Sequence, residues 1–212
     1  MKKLFTLVAL AMIAMGANAQ RIAEKDWDGG FDGDYPMWYQ FADGQDGSVA
    51  SNEDGVAITV GSQTGELWQP QVQVLSGDLT LEEDHSYVVK VTALFPTDGT
   101  LQINMGSWDG RDQYTVPVIA GEDFQNVYVE FPDYAYNVAG NGFVLFQCGD
   151  FLGTSIVKKV MVIDLDASGE ATGIKNLKNN TQSVVRYNLA GQQVDANFKG
   201  IVIQNGKKFM QK

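Results

Sequence analysis

Across the middle of this 212-residue chain the apolar side chains recur at every second position. Tyr87, Val89, Val91, Ala93 and Phe95 alternate with Val88, Lys90, Thr92 and Leu94. Leu101, Ile103 and Met105 alternate with Gln102 and Asn104, and Val127, Val129 and Phe131 with Asn126, Tyr128 and Glu130. Similar runs occupy 56–60, 67–75, 114–119, 143–148 and 156–165, and Trp38 and Tyr39 fall in the first strand read from the pattern. A period of two is that of a strand with one buried face, and no amphipathic helix of about twelve residues competes with it. Asp98-Gly99, Asp109-Gly110, Gly121-Glu122-Asp123 and Gly140-Asn141-Gly142 supply the turns between strands. The pattern predicts an all-β, antiparallel body. About nine strands suit a two-sheet jelly-roll β-sandwich, with an immunoglobulin-like sandwich as the second choice.

Charge and composition divide the chain further. Lys2 and Lys3 precede an apolar run over 4–15, and Ala17-Asn18-Ala19 has the small-x-small pattern of a cleavage site. Residues 1–19 therefore read as a signal peptide with a mature start at Gln20. Twelve residues rise only ~18 Å as a helix, too short to cross a ~30 Å hydrocarbon core, and no later segment is long and apolar enough to span one. From Gln20 to Thr172 there are 6 basic and 25 acidic residues, a net of −19; from Gly173 onward 7 basic residues face only Asp195, a net of +6. That swing marks a boundary. The expected organisation is a sandwich at 20–166, a small Gly-containing linker at 167–173 and a basic β tail at 174–212.

Several activities are excluded by what the chain lacks. With one His and one Cys in the whole sequence, neither a His/Cys zinc site nor a disulfide framework can be built. Cys148 lies in the apolar run Phe143-Val144-Leu145-Phe146-Gln147-Cys148, the setting of a small buried hydrophobe. His85, the only base of its kind, sits in the turn-like Glu83-Asp84-His85-Ser86, and nothing ties it to that thiol. An acidic body is a poor ligand for nucleic acid, whose phosphates demand Lys and Arg. A glycoside hydrolase needs two carboxylates about 5–9.5 Å apart. The acidic residues here fall almost all in turns, with only Glu130 in mid-strand.

Binding remains, and the polar faces of the strands are where it would occur. Gln69, Gln71 and Gln73 share a face opposite Trp68, Val72 and Val74, although Pro70 can move Gln69 out of line. Gln102 and Asn104 share a second outward face, and Asn126 with the aromatic Tyr128 a third. An amide both donates and accepts, as a sugar hydroxyl does, and aromatic rings offer flat apolar platforms to the C–H faces of a pyranose. Trp108, in the polar loop Gly106-Ser107-Trp108-Asp109-Gly110-Arg111, is the leading platform. Trp68 alternates with the apolar set and is expected to serve the core first, a ligand second. The candidate ligand-binding set is thus Trp108, Gln71, Gln73, Gln102, Asn104, Tyr128 and Trp68. The acidic turn from Asp26 to Asp34 also offers oxygen donors, with Asp28 and Asp32 as candidate ligands of a structural calcium ion.

Two resemblances sharpen these expectations. Asp28-Gly29-Gly30-Phe31-Asp32, followed by Trp38, resembles the entry motif of jelly-roll carbohydrate-binding modules of the family four, nine and twenty-two kind, which are galactose-binding-like in fold. Trp68-Gln69-Pro70-Gln71, then Leu79-Thr80-Leu81 and the run from Ser86 to Val91, is similar to the Trp-x-x-Gln strand and long following strand of those modules. The resemblance spans roughly Asp26 to Asp166. It implies a non-catalytic poly- or oligosaccharide-binding protein. It also implies a structural calcium held by the acidic residue that ends the entry motif, matched by Asp32, and by an Asp of the closing strand. Lys158 stands at that second position and could pair with Asp32 instead. The tail, with Tyr187-Asn188-Leu189-Ala190-Gly191 and then Lys199-Gly200-Ile201-Val202-Ile203-Gln204-Asn205-Gly206-Lys207-Lys208, resembles the C-terminal sorting domain of type IX secretion substrates. That implies secretion machinery as a partner and a secreted or cell-surface location. Asn205-Gly206 is a strong two-residue hairpin turn. The alternative function is a structural or adhesive surface protein that binds protein partners without recognising sugar.

Overall fold

The computed structural model describes residues 19–167 and, beyond them, the backbone of four short strands between residues 186 and 211. The chain divides into two compact units, residues 1–171 and 172–212. The predicted signal peptide and the body of the predicted linker lie outside the described residues.

Among the described residues of the first unit every regular element is a strand. The back sheet contains β3 (Gly47–Asn52), β4 (Gly55–Val60), β11 (Gly153–Asp164), β6 (Tyr87–Leu94) and β9 (Gln125–Phe131), in that order. Its sixth strand, β1 (Gln20–Asp26), pairs with the second half of β11. The front sheet runs β2 (Tyr39–Gln40), β5 (Gln71–Leu81), β10 (Val138–Gln147), β7 (Gly99–Gly106) and β8 (Arg111–Val118). Every pairing is antiparallel, and the order of strands alternates across the two sheets as in a jelly roll.

Alternation sets the core. Val72 and Val74 on β5, Leu101, Ile103 and Met105 on β7, and Val144, Phe146 and Cys148 at β10 point inward. They meet Val56 and Ile58 on β4, Val89 and Val91 on β6, and Val157, Val160 and Val162 on β11. Burial of these side chains drives assembly of the two layers. Cys148 is fully enclosed, and loss of hydration pushes its thiol up to about 12, so it is an inert core residue.

Trp27 fastens the layers together. Its backbone N–H donates to the Lys158 carbonyl of the back sheet at 2.8 Å. Its indole Nε1 donates to the Val74 carbonyl of the front sheet at 2.9 Å. Gly30 follows in a left-handed conformation (φ 75°), where a Cβ would lie 2.6 Å from the Asn52 carbonyl oxygen. Only glycine lets this loop lie so close to β3.

Several boundaries differ from the sequence reading. The first strand is β1 rather than the Trp38-Tyr39 segment, because its alternation is hidden among charged residues that face solvent. Residues 67–70 form a turn, and β5 begins only at Gln71, beyond the Gln69–Pro70 bond, which is cis. Gln69 therefore leaves the face shared by Gln71 and Gln73. In the second unit, β12 (Arg186–Asn188), β13 (Gln193–Val194), β14 (Gly200–Gln204) and β15 (Lys207–Gln211) form an antiparallel sheet ordered β13-β12-β14-β15. Gln204 pairs with Lys207, and the Asn205-Gly206 turn between them lies outside the described residues.

Candidate binding groove

The outer face of the front sheet is unlike an ordinary solvated face. On β10 the residues that alternate away from the core are Phe143, Leu145 and Gln147, and all three are buried. Beside them on β7 are Gln102 and Asn104, 4% and 5% exposed, and on β5 Gln73, 8% exposed. None of the six belongs to the core cluster between the sheets. This face is therefore a recessed floor.

Register explains how amides tolerate that position. Gln40 pairs with Gln71, Gln71 with Gln147, Gln147 with Gln102, and Gln102 with Thr115, so one row crosses β2, β5, β10, β7 and β8. The side chains in the row bond to one another. Gln102 Nε2 donates to Gln147 Oε1 at 2.6 Å, Gln147 Nε2 to Gln71 Oε1 at 3.2 Å, and Gln71 Nε2 to Gln40 Oε1 at 3.3 Å. Each donor that points along the sheet finds an acceptor, which removes the cost of burying a bare amide. Four amides on adjacent strands span roughly 14 Å at about 4.8 Å per strand. A parallel row of Gln73, Leu145, Asn104 and Gln113 lies beside it. Asn104 makes no side-chain hydrogen bond among the described residues, so its amide is a free donor and acceptor in the floor.

Aromatic rings stand at both ends. After β7 the chain makes a tight loop in which Ser107 N–H donates to the Gly110 carbonyl at 2.9 Å, lifting Trp108 out of the sheet to 54% exposure. Gly106, at φ 148°, starts that loop where a Cβ would sit 2.6 Å from Arg111 Cα. Trp108 packs on Phe143 with ring centres 4.6 Å apart and meets Trp38 edge-on at 5.0 Å. The Arg111 guanidinium lies 5.5 Å from the Trp108 ring. Trp38 is held by the floor itself, its backbone exchanging bonds with Gln73: Gln73 N–H donates to the Trp38 carbonyl at 2.9 Å. At the opposite end of β5, Trp68 lies in the turn before Gln71 and is 39% exposed. The alternation had placed Trp68 with the core set. The turn at 67–70 takes it out of register and leaves the ring at the surface.

Of the sequence candidates, Gln71, Gln73, Gln102, Asn104 and Trp108 come together on this face, and Trp68 stands at its end. Tyr128 does not. It lies on β9 in the back sheet, on the outer side, beside Lys90, whose ammonium is 5.8 Å from the ring. Four residues of the groove went unread: Gln40, Gln113, Gln147 and Trp38. Gln147 was legible as the polar member of the alternate set Phe143, Leu145, Gln147. Gln40 sits in a strand of two residues, too short to show a period.

The acidic turn does not fit a calcium ion. Lys158 Nζ lies 2.9 Å from Asp28 Oδ1, so the sequence expectation of a Lys158–Asp32 pair is corrected to Lys158–Asp28. The ammonium supplies the positive charge that a cation would bring. Among the described residues no three His, Cys, Asp or Glu side chains converge on one point.

No protein-family model matches this chain, and no curated protein matches it. Solved structures do. One described as "BiXyn10A CBM1 APO" superposes with a TM-score of 0.55 at 20% identity, over 68% of this chain and 97% of that one. The xylan-binding module CBM15 gives a TM-score of 0.48 at 14% identity, over 73% of this chain and all of that one. The second N-terminal cellulose-binding domain of β-1,4-glucanase C from Cellulomonas fimi gives 0.45 at 15% identity, covering 71% and 100%. The class defined is a jelly-roll β-sandwich of the architecture found in carbohydrate-binding modules.

Proposed function

We propose that this protein is an exported, non-catalytic binder of a neutral poly- or oligosaccharide, and that the ligand lies on the outer face of the front sheet. The observation that carries the reading is the row of mutually bonded glutamines sunk into a sheet face and bounded by exposed tryptophans. A floor of preoriented amides matches hydroxyls that both donate and accept, and loses little entropy on binding. Trp108 and Trp38 supply rigid apolar platforms at one end and Trp68 at the other. The ladder carries no charge, which favours a neutral glycan over a polyanionic one. The fold shared with the solved structure described as "BiXyn10A CBM1 APO" is in keeping with this reading.

The test is retention of the full chain in native gels containing xylan, mixed-linkage glucan, cellulose derivatives or mannan. Retention by one of them that Trp108→Ala clearly weakens is the expected result. Passage through every neutral polysaccharide unretarded refutes the reading.

The same proposal places the protein outside the cell, through cleavage before Gln20 and a C-terminal unit that acts as a sorting module. Mass spectrometry of the secreted form, and fractionation of a chain lacking residues 174–212, test those two points separately.

A further inference from the structure

β2 has two faces, and the groove uses only one. Trp38 and Gln40 turn toward the amide floor, while Tyr39, between them, pairs with Val72 and turns the other way. Its ring, 46% exposed, stands at the open side of the sandwich where the end of the front sheet approaches β3, the end of the back sheet. There it borders a recess of about 600 Å³ lined by Phe31, Asp34, Tyr35, Val49 and Ser51 as well. That volume falls within the range of small-ligand sites, about 300–1,000 Å³.

The lining is built rather than incidental. Phe31, Tyr35 and Tyr39 form a chain of edge-on rings with centres 5.2 and 6.1 Å apart. The Tyr35 hydroxyl donates to the Gln73 carbonyl, which fixes its ring against β5. The Phe31 N–H donates to Ser51 Oγ at 2.8 Å, leaving that hydroxyl its own proton to give. The Asp34 carboxylate is exposed beside them and accepts only. Among the described residues no cation lines the recess.

We propose that this recess is a second saccharide site, taking one or two pyranose units of a neutral glycan against the Tyr39 ring. Hydroxyls of the sugar bond to Asp34 and Ser51, and its C–H face lies on Tyr39. The site lies behind the groove, on the opposite side of the same short strand, so one edge strand serves both. The protein can then hold two glycan segments at once, one on each side of β2. The inference stands on a different set of residues from the groove and does not need it.

Backbone amide NMR of the full chain, titrated separately with xylohexaose, cellohexaose and mannohexaose, tests it. Amides of residues 31–35 and 49–51 are expected to shift with at least one probe, and to keep shifting in Trp108→Ala, where the groove is disabled. Tyr39→Ala should weaken that response about tenfold or more, whereas Tyr39→Phe, which retains the platform, should preserve it. Gln102 and Gln147 should respond alike in the wild type and Tyr39→Ala. If the recess amides stay still with every probe, or move only together with the ladder and fall silent in Trp108→Ala, the second site is refuted and the groove stands. Movement in the recess without movement in the ladder refutes the groove and keeps the second site.

Discussion

On the back sheet, Asn126 accepts a hydrogen bond from Thr92 at 2.8 Å, Tyr128 lies beside Lys90, and Lys159 reaches Glu24 at 2.8 Å and Asp26 at 3.3 Å. On the front sheet, Gln102, Gln147, Gln71 and Gln40 bond to one another in a row and carry no charge. The two outer faces draw on the same kinds of polar residue, yet the first stays open to water while the centre of the second, Gln102 and Gln147, is sunk from it. Neighbours make the difference. An amide beside charged or hydroxyl groups at the surface gains little from its partner, because water is an equal alternative. At the buried centre of the row Gln102 and Gln147 have each other as partners where little water reaches, so their geometry is fixed before any ligand arrives.

The largest effect should come from cutting the ladder at its most buried member. Gln147→Leu leaves the Gln102 Nε2 donor without an acceptor in a site that is 1–4% exposed. The expected loss is about 1–3 kcal/mol of stability by chemical denaturation, with glycan retention lost as well. Asn126→Ala on the back sheet should stay within about 0.5 kcal/mol and leave retention unchanged. Equal effects would erase the distinction between the faces.

Trp108→Ala comes next. The ring is largely exposed, so the fold should tolerate its loss, while affinity for the retained glycan falls about tenfold. Tyr128→Ala should leave affinity as it was.

pH separates the sheets in another way. His85 Nδ1 lies 3.0 Å from Asp164 Oδ2 at the end of β11, with Glu82 3.4 Å from the other ring nitrogen and Asp166 nearby. The hydrogen bond with Asp164, followed by these negative charges, raises the imidazole above its usual value of about 6.5. A group raised on folding stabilises fully below its unfolded value, and that contribution disappears as pH rises through the folded one. Thermal stability should therefore decline above about pH 6.5 in the wild type and lose that slope in His85→Gln. Glycan retention should stay level over the same range, because the ladder holds no titratable group.

The smallest effect belongs to the back sheet's own interior. Ser155 Oγ is buried without a hydrogen-bond partner among the described residues. Ser155→Ala should be neutral or slightly stabilising in thermal denaturation, since it removes an unsatisfied hydroxyl.

The layers were legible in the sequence because period two is a local property: Tyr87 to Phe95 and Leu101 to Met105 announce a buried face without reference to any partner. The groove was legible in part for the same reason. The alternation turns Gln102 and Asn104 outward as amides, and Asn126 outward beside the aromatic Tyr128. What no single strand could reveal was which outward faces meet. Gln40, Gln71, Gln147 and Gln102 become one row only through pairings between residues 31, 76 and 45 apart in sequence. Trp68 failed for a related reason. Alternation assumes the strand continues, and the turn at 67–70 ends it one residue before Gln71.

The glutamine row has a further consequence. All three of its side-chain bonds run in one sense, each hydrogen given toward β2, so the dipoles of the row add. The floor thus has a head and a tail, exposing acceptor character where Gln102 begins it and donor character where Gln40 ends it. A polymer whose two termini differ would be threaded in one sense only, and inverting any single carboxamide would set like poles together and break the polarity of the whole track.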